Sequence, residues 1–184
     1  TEFGVPQKRE RLIIIGKRGD EAPTFAELPE HQNVDLRNII KFNMNGALAV
    51  PEEVFNDIPD DCILTDMTNT ETENNPHPYI VRHHVNNTGF SFGKRVSKYH
   101  IEIVDIRKPS KTIICTYDHQ PRLLIPLKNA NGTFLRTMTP DELKQIQGFP
   151  EDYTLNGKLK EQITQVGNAV PSQIVSWVCK SILT

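Results

Sequence analysis

Residues 11–18 read RLIIIGKR, a short apolar run that ends at Gly16 and has cations on both sides. An uninterrupted apolar run of this length is typical of a strand that is buried on both faces in a parallel or mixed sheet. Such a strand needs neighbours, yet no repeated alternation of strands and helices follows it along the chain. The sequence therefore predicts an α/β fold in which this strand has few neighbours within the chain.

Length and composition narrow the class of protein. The chain has 184 residues, 37% hydrophobic and 24% charged, enough for one domain with a real core or for one domain and part of another. It has no apolar run long enough to span a bilayer and no secretory signal at its start, so we expect an intracellular protein without a membrane partner. Its three cysteines form no C-x-x-C pair. We therefore expect reduced, mostly buried thiols and no metal site.

Charge is distributed unevenly, although the net charge is only -2. Residues 20–76 hold two Lys/Arg and thirteen Asp/Glu, whereas residues 77–136 hold ten and three. Histidines and aromatic residues lie among these cations, including His83, His84, His100, His119, Phe90, Phe92, Tyr99 and Tyr117. Isolated charges usually form a solvated face. A segment this basic, with aromatic side chains interleaved, instead favours a surface that binds nucleic-acid phosphates.

The basic segment also carries the clearest strand signals of the chain. They are HIEIVDIR (100–107), KTIICTY (111–117) and RLLIPL (122–127). Asn131-Gly132 is a strong hairpin signal, so we predict a small antiparallel β region here. The acidic stretch before it is predicted to be irregular, with one short helix at 50–58 and a polar connector at 66–78.

A helix is predicted after the β region, in TPDELKQIQGF (139–149). Thr139 can be its N-cap, Pro140 its first residue and Glu142 the reciprocal partner in a capping box. Gly148 would end it.

The last stretch, PSQIVSWVCKSIL (171–183), predicts an amphipathic helix that needs a partner surface. Its apolar stripe consists of Ile174, Trp177, Val178 and Ile182. Just before it, Gly167 allows a close approach of backbone, Asn168 can cap a helix, and Pro171 suits a first helical turn. This predicts a backbone-lined niche that could receive a polar ligand. An ordinary cap before a core helix is the reading that these residues alone favour.

Three separated stretches combine into a family resemblance. The chain contains, in this order, FGVPQKRERLIIIGKR (3–18), RTMTPDELKQIQGFPEDY (136–153) and QITQVGNAVP (162–171). Together they closely resemble the eighth, ninth and tenth shared motifs of the DNA (cytosine-5) methyltransferases. The resemblance implies the C-terminal half of such an enzyme, with a small β-rich recognition domain and part of an S-adenosylmethionine-dependent, Rossmann-like α/β domain.

The resemblance also implies a division of the chain. Residues 1–19 would be a strand of the catalytic domain, and residues 137–184 would return to that domain. Residues 20–136 would form the target-recognition domain, composed of an acidic connector (20–76) and a basic β-rich part (77–136).

Several site residues are implied in the same way. Asn168, Ala169 and Val170 would line the pocket for S-adenosylmethionine. Gln7, Arg9 and Arg11 would lie at the DNA-facing edge of the active site, with Arg11 contacting the flipped target cytosine.

Strand geometry bears on the two arginines independently of the family. Side chains alternate along a strand, so Arg9 and Arg11 share one face while Lys8 points to the other. Two guanidiniums on one face can bind phosphate oxygens or a base carbonyl. Surface salt bridges are the alternative.

Contacts to DNA are expected from the recognition region. In KPSKTII (108–114), Thr112 and Ile113 resemble the Thr–aliphatic pair common in recognition domains of this family. The Thr hydroxyl could bond a phosphate or a base edge while Ile anchors the loop in the core; plain β propensity is the alternative. The candidate contacts to phosphate or guanine are Arg82, Arg95, Arg107, Arg122 and Arg136.

The family's nucleophile is not among these residues. The resembled enzymes attack cytosine with the thiolate of a Cys that follows Pro, and none of Cys62, Cys115 and Cys179 follows Pro. The Gly-rich cofactor loop and the Glu-Asn-Val element of the family are also missing. We therefore expect the chain to be inactive alone and to bind double-stranded DNA together with an N-terminal catalytic half.

That half could be a separate subunit or part of the same chain in a longer protein. A non-catalytic DNA-binding module derived from the family is a different possibility. The resemblance further implies a cytoplasmic, DNA-associated protein of a bacterial or phage-type host cell, as in a restriction-modification system.

Overall fold

A computed structural model of the chain describes residues 1–16, 18–19, 24–29, 34–75, 89–96, 100–117 and 122–183. It has a mixed α/β architecture. The strands are β1 (Gln7–Lys8), β2 (Leu48–Ala49), β3 (Leu64–Asp66), β4 (Phe90–Phe92), β5 (Ile101–Ile103), β6 (Ser110–Lys111), β7 (Leu123–Asn129) and β8 (Gly132–Arg136). The helices are α1 (Pro140–Ile146), α2 (Leu159–Asn168) and α3 (Ser172–Leu183), with short 3-10 helices at Glu52–Phe55 and Asp60–Cys62.

Strand β7 is the centre of the main sheet. The strand order is β2-β8-β7-β5-β4, and β3 also pairs with β7. Five consecutive residues of β7 are buried, because neighbouring strands and packed side chains cover it. The predicted hairpin is confirmed, since β7 and β8 pair antiparallel and Asn129 lies opposite Gly132.

The prediction of an antiparallel β region is wrong for the remaining strands of this region. Strand β5 runs parallel to both β4 and β7, and β3 is also parallel to β7. Parallel neighbours need a crossover connection, and only the β7–β8 pair is joined by a two-residue turn. Strand propensity located β5 and β7, but of the predicted strand at 111–117 only Lys111 is in a strand. It also does not indicate in which direction strands pair.

The acidic segment is part of the core. Leu36, Ile40, Met44 and Leu48 are each at most 2% exposed, and β2 and β3 extend the main sheet. The described part of 20–76 is therefore not the irregular connector that its charge suggested. Among its described residues most acidic side chains face solvent, while Leu36, Ile40, Met44 and Leu48 belong to the core cluster. The predicted short helix at 50–58 is a 3-10 helix.

Helix α1 begins as predicted. The Thr139 hydroxyl accepts from Glu142 N at 3.2 Å, and Thr139 N donates to Glu142 Oε2 at 2.8 Å, which forms the capping box. The same carboxylate accepts two hydrogen bonds from Arg136, at 2.6 and 2.8 Å. This pair, with Arg136 1% exposed, joins the end of β8 to the start of α1.

The apolar run at 11–18 is not a buried strand within this chain. Strand β1 ends at Lys8, and Leu12 and Ile14 are 86% and 84% exposed. No strand of the described residues pairs with Leu12–Ile15. The run is therefore an apolar edge that this chain leaves uncovered.

Helix α3 is only partly covered. Trp177 stacks on Phe25 at 6.0 Å and donates from Nε1 to Ala26 O at 3.0 Å. Ile182, which belongs to the predicted apolar stripe, is 58% exposed, and Val175 is 46% exposed.

Of the three thiols, only Cys62 is buried, so the expectation of mostly buried cysteines is wrong. Among the described residues, no helix combines the length and the apolarity that crossing a membrane requires.

Candidate functional site

A small parallel sheet joins the beginning of the chain to the recognition region. Strand β1 pairs with β6, with Gln7 opposite Ser110 and Lys8 opposite Lys111. The Thr112 hydroxyl then donates to Lys8 O at 3.0 Å. Stretches about a hundred residues apart in the sequence thus lie side by side.

Both backbone polar groups of Ile113 are bound by side chains of the first stretch. Ile113 N donates to Gln7 Oε1 at 3.4 Å, and Arg9 Nη1 donates to Ile113 O at 3.1 Å. Ile113 itself is 1% exposed, so it is anchored in the core as expected. Its loop is held in place from two directions.

Gly167 brings the backbone of α2 against the same loop. A Cβ atom at this position would lie 2.5 Å from Cys115 N and 2.6 Å from Cys115 Cα. Arg9 Nη2 also donates to Gly167 O at 3.1 Å. The expectation that Gly167 permits a close approach of backbone is confirmed, and the backbone it meets is that of Ile114 and Cys115 in the basic segment.

Gln147, which the sequence reasoning missed, completes the connection. It is 0% exposed, accepts from Gln7 Nε2 at 2.6 Å, and donates to Ala169 O at 2.5 Å. The sequence did contain a signal for it: the helical spacing of the apolar residues Leu143 and Ile146 puts position 147 on the buried face, and an amide occupies that position. A buried amide must find hydrogen-bond partners, and here they are supplied by two other motifs.

We call this set of contacts the junction: Gln7, Arg9, Ile113, Gln147 and the corner 167–169. Three directional hydrogen bonds run from Ile113 N through Gln7 and Gln147 to Ala169 O. The Arg9 guanidinium bridges the same two backbone segments directly. The junction therefore fixes the recognition loop relative to the corner between α2 and α3.

Strand β1 ends at Lys8, so strand alternation does not extend to Arg9 and Arg11. Both line a cavity of about 270 Å³ that Glu10, Pro171 and Ile174 also border. Partial burial, and secondarily the charge of Arg11, lower the pKa of Arg9. Arg11 is exposed, and its Nη1 donates to Glu10 O at 2.6 Å.

The corner differs in detail from the predicted niche. Asn168 is the last residue of α2 and does not cap α3, which begins at Ser172. Pro171 O accepts from Ile174 N at 3.1 Å, as in a first helical turn. The Asn168 side chain is exposed, Ala169 is half-buried and Val170 is 60% exposed. The corner thus offers an amide and an apolar side chain on a fixed backbone.

The structure separates the predicted DNA-contacting residues into two groups. Thr112, Arg95 and Arg122 line one cavity of the recognition region. Gln7 is 3% and Arg136 1% exposed, so neither is available to DNA, and both predictions are corrected. They are buried because each joins two segments of the fold. Arg82 lies outside the described residues.

Arg107 is also engaged within the fold. Its Nε and Nη2 donate to Asp105 at 2.9 and 3.1 Å, and its Nη1 donates to Asp61 at 3.2 Å. Asp105 further accepts from Lys108 Nζ at 3.0 Å. Hydrogen bonds from Arg107 hold the pKa of Asp105 far below its usual range. The geometry assigns Arg107 to this ion-pair cluster and not to a contact with DNA.

Residues 1–184 match the sequence profile of the C-5 cytosine-specific DNA methylases. The chain is 28% identical over 201 residues to the Type II methyltransferase M.NgoFVII of Neisseria gonorrhoeae, covering 100% of this chain and 47% of that protein. It is 26% identical over 189 residues to the Type II methyltransferase M1.HphI of Haemophilus parahaemolyticus, covering 100% of this chain and 45% of that protein.

One solved structure, of a methyltransferase from Entamoeba histolytica, overlaps 98% of this chain and 50% of its own length. The TM-score of this comparison is 0.48, and the two sequences are 16% identical. The chain spans about half the length of the curated relatives it matches.

Proposed function

The chain belongs to the C-5 cytosine-specific DNA methylase family, and from that premise we propose that it is the target-recognising C-terminal part of such an enzyme. In this proposal it selects a duplex DNA sequence and supplies one wall of the site where a methyl group passes from S-adenosylmethionine to cytosine C5. The finer fold assignment, a recognition domain next to part of a Rossmann-like domain, belongs to the same proposal.

The junction is the observation that carries this proposal. It connects the recognition loop at 112–115 to the corner at 167–169 through buried hydrogen bonds and one backbone-to-backbone contact. A stand-alone DNA-binding module would have no use for a corner fixed so tightly to its reading loop. An enzyme needs it, because recognition of a target sequence must place the reacting base against the cofactor.

The nucleophile is proposed to come from the other half of the enzyme. Cys62 is fully buried, its Sγ donates to Asp105 Oδ1 at 3.3 Å, and burial with this carboxylate raises the pKa of its thiol to about 12. It is a neutral thiol at physiological pH and a poor nucleophile. Cys115 is held against Gly167 by its backbone, and Cys179 lies exposed on α3.

The uncovered apolar residues support a partner on the side of the corner. Leu12, Ile14, Val170, Val175 and Ile182 are between 46% and 86% exposed. Burial of apolar surface is the main driving force of association. We infer that the N-terminal half covers them and adds neighbouring strands to the run at 11–18.

The corner fits one wall of a cofactor pocket. Asn168 offers an exposed amide, which can donate to or accept from a polar ligand, and Val170 offers apolar contact. S-adenosylmethionine, when bound, supplies the transferred methyl group. The chain's own contribution is to hold Asn168, Ala169 and Val170 in place through Gln147 and Gly167.

Arg9 and Arg11 have different roles in this proposal. Arg9 donates from Nη1 to Ile113 O and from Nη2 to Gly167 O. It is therefore a positioning residue, which holds these two backbone segments together. Arg11, exposed in the same cavity, is the one left to approach the flipped cytosine or its phosphate. This revises the expectation that both arginines contact the DNA.

The test is complementation in a methyl-transfer assay on duplex DNA. The purified chain should transfer no labelled methyl groups from S-adenosylmethionine, and activity should appear when the N-terminal half is added. Arg11→Ala should lower turnover by at least about tenfold, as expected when a buried ligand group loses a charged partner. Lys128→Ala is the control and should have much less effect, because Lys128 lies next to Glu52 and borders neither the junction nor the cavity of Arg11. Activity of the chain alone would refute the division of roles, and duplex binding without activity after mixing would support the non-catalytic module instead.

A further inference from the structure

The recognition region contains a cavity whose chemistry suits one base pair better than a phosphate. Its volume is about 220 Å³, below the roughly 300 to 1,000 Å³ of pockets that enclose a drug-sized ligand. It therefore suits part of a larger ligand. Three cations line it, Arg95, Lys111 and Arg122, together with Thr112 and a single acid among the described residues, Glu102.

Glu102 and Lys111 form a fixed donor–acceptor pair in this cavity. The Glu102 side chain is 7% exposed and Glu102 Oε2 accepts from Lys111 Nζ, while the Lys111 side chain is 50% exposed. A buried carboxylate on β5 thus holds a lysine whose stem begins on β6. Because one partner is buried, the pair is more ordered than an ordinary surface ion pair.

Both groups keep hydrogen-bonding capacity beyond their mutual bond. An ammonium has three donors and a carboxylate has two oxygens. Within the described part of the chain, the one side-chain bond of each is the bond to the other. The Glu102 side chain is only 7% exposed, but it lines the cavity. A ligand group that enters the cavity can therefore meet the N–H groups of Lys111 and the edge of the carboxylate.

The surroundings favour DNA as that ligand. A second cavity of about 100 Å³ lies on the other side of the pair, and Lys8 and Lys108 border it. Its other acid, Asp105, is already occupied by Arg107 and Lys108. The pair thus lies between cations on both sides that can hold the DNA backbone.

The carboxylate decides between a phosphate and a base. A phosphate placed next to Lys111 would be repelled by Glu102. A G·C pair presents guanine O6 and N7 as acceptors, and cytosine N4 as a donor, side by side in the major groove. We propose that Lys111 and Glu102 together read one G·C base pair of the target, with Lys111 donating to guanine and Glu102 accepting from cytosine N4. This inference rests on the proposed function of the chain.

The test is to map the sites methylated by the complete enzyme, this chain together with its N-terminal half, on a library of duplexes. Glu102→Gln preserves the shape of the side chain but replaces one acceptor by a donor. Discrimination for G·C should fall roughly 5- to 100-fold at one position of the target, with the other positions unchanged. Glu52→Gln is the matched control, because Glu52 is 80% exposed and lies 3.8 Å from Lys128, outside the cavity.

Lys111→Gln is the second variant, in case Glu102→Gln does not fold. It keeps an N–H donor for the buried Glu102 carboxylate and removes the charge that faces the ligand, so the same single position should relax. A uniform loss of methylation at all sites, with specificity unchanged, would overturn the proposal in favour of a phosphate contact. If the wild-type enzyme methylates no DNA at all, the proposed function itself fails. Normal wild-type activity with unchanged specificity in both variants removes only the base-pair reading.

Discussion

At the scale of single residues, the junction depends on Gly167 and Gln147. A side chain at position 167 would not fit, because a Cβ atom there would lie 2.5 Å from Cys115 N. The Gln147 side-chain amide bonds both Gln7 and Ala169 O. Sequence reasoning found Gly167 because glycine is itself a signal of close approach. It missed Gln147 because its side chain is polar, although its spacing from the buried Leu143 and Ile146 places it on the same face of the helix.

Gly167→Ala should destabilise the chain by about 1 to 3 kcal/mol, the usual cost of forcing an extra methyl group into a packed site. The atoms it would meet are backbone atoms of Cys115, which cannot turn aside as a flexible side chain can. Urea unfolding of the purified chain measures the change. Gly16→Ala is the control, since nothing lies within 4 Å of its added Cβ. Equal stability of both variants and wild type would contradict the close contact.

Asp105 predicts a dependence of stability on pH. Its carboxyl has a pKa lowered mainly by Arg107, so the ionised form stabilises the fold. This contribution is present above the ordinary carboxyl pKa of about 4 and is lost as the pH falls toward the lowered pKa of the folded state. Asp105→Asn should therefore cost about 1 to 3 kcal/mol at pH 7 and clearly less at pH 3. Urea unfolding at the two pH values is the measurement, and a cost that grows on acidification would have the wrong sign.

At the scale of secondary-structure elements, signals that depend on neighbouring residues were reliable, whereas strand propensity alone was not: of the predicted strand at 111–117, only Lys111 lies in a strand. The capping box of α1 and the β7–β8 hairpin depend on neighbouring residues, and both formed as expected. The parallel pairing of β3 and β5 with β7 depends on crossovers between distant segments, which no local pattern encodes. Residues 12–15 have the pattern of a buried strand but are largely exposed, because no strand within the described part of the chain pairs with them.

The exposed run predicts a separation between stability and assembly. Replacing Leu12 and Ile14 by Asp should change the unfolding free energy of the chain by no more than about 0.5 kcal/mol, as is usual for surface positions. The same change should abolish association with the N-terminal half, because it puts two charges into a face that becomes apolar core. Titration calorimetry of the two halves is the measurement.

Met67→Asp is the control for this experiment, because Met67 is 58% exposed but follows β3 in the main sheet. It should leave association intact. If the Leu12 and Ile14 variant assembled as well as wild type, the apolar edge would not be the interface.

At the scale of the whole molecule, the sheet crosses the boundary that charge suggests. Strands β2 and β3 come from the acidic segment and pair with β8 and β7 of the basic one. The described parts of 20–76 and 77–136 therefore share one sheet and one core. Sequence composition separated them because charge is a property of the surface, whereas the shared core beneath it is apolar.

We propose that this chain selects the DNA sequence that is methylated, and a graft tests this most directly. Residues 20–136 replace the corresponding segment of a full-length relative that methylates a different DNA sequence, and the methylated cytosines are then mapped. We predict that the target changes to that of the grafted segment, because the donor's reading loop and its supporting core move together. A graft of 77–136 alone should give little folded enzyme, since it leaves β7 and β8 without β3 and β2. An active 20–136 chimera that still methylates the relative's original target would contradict the assignment of this chain as the part that recognises DNA sequence.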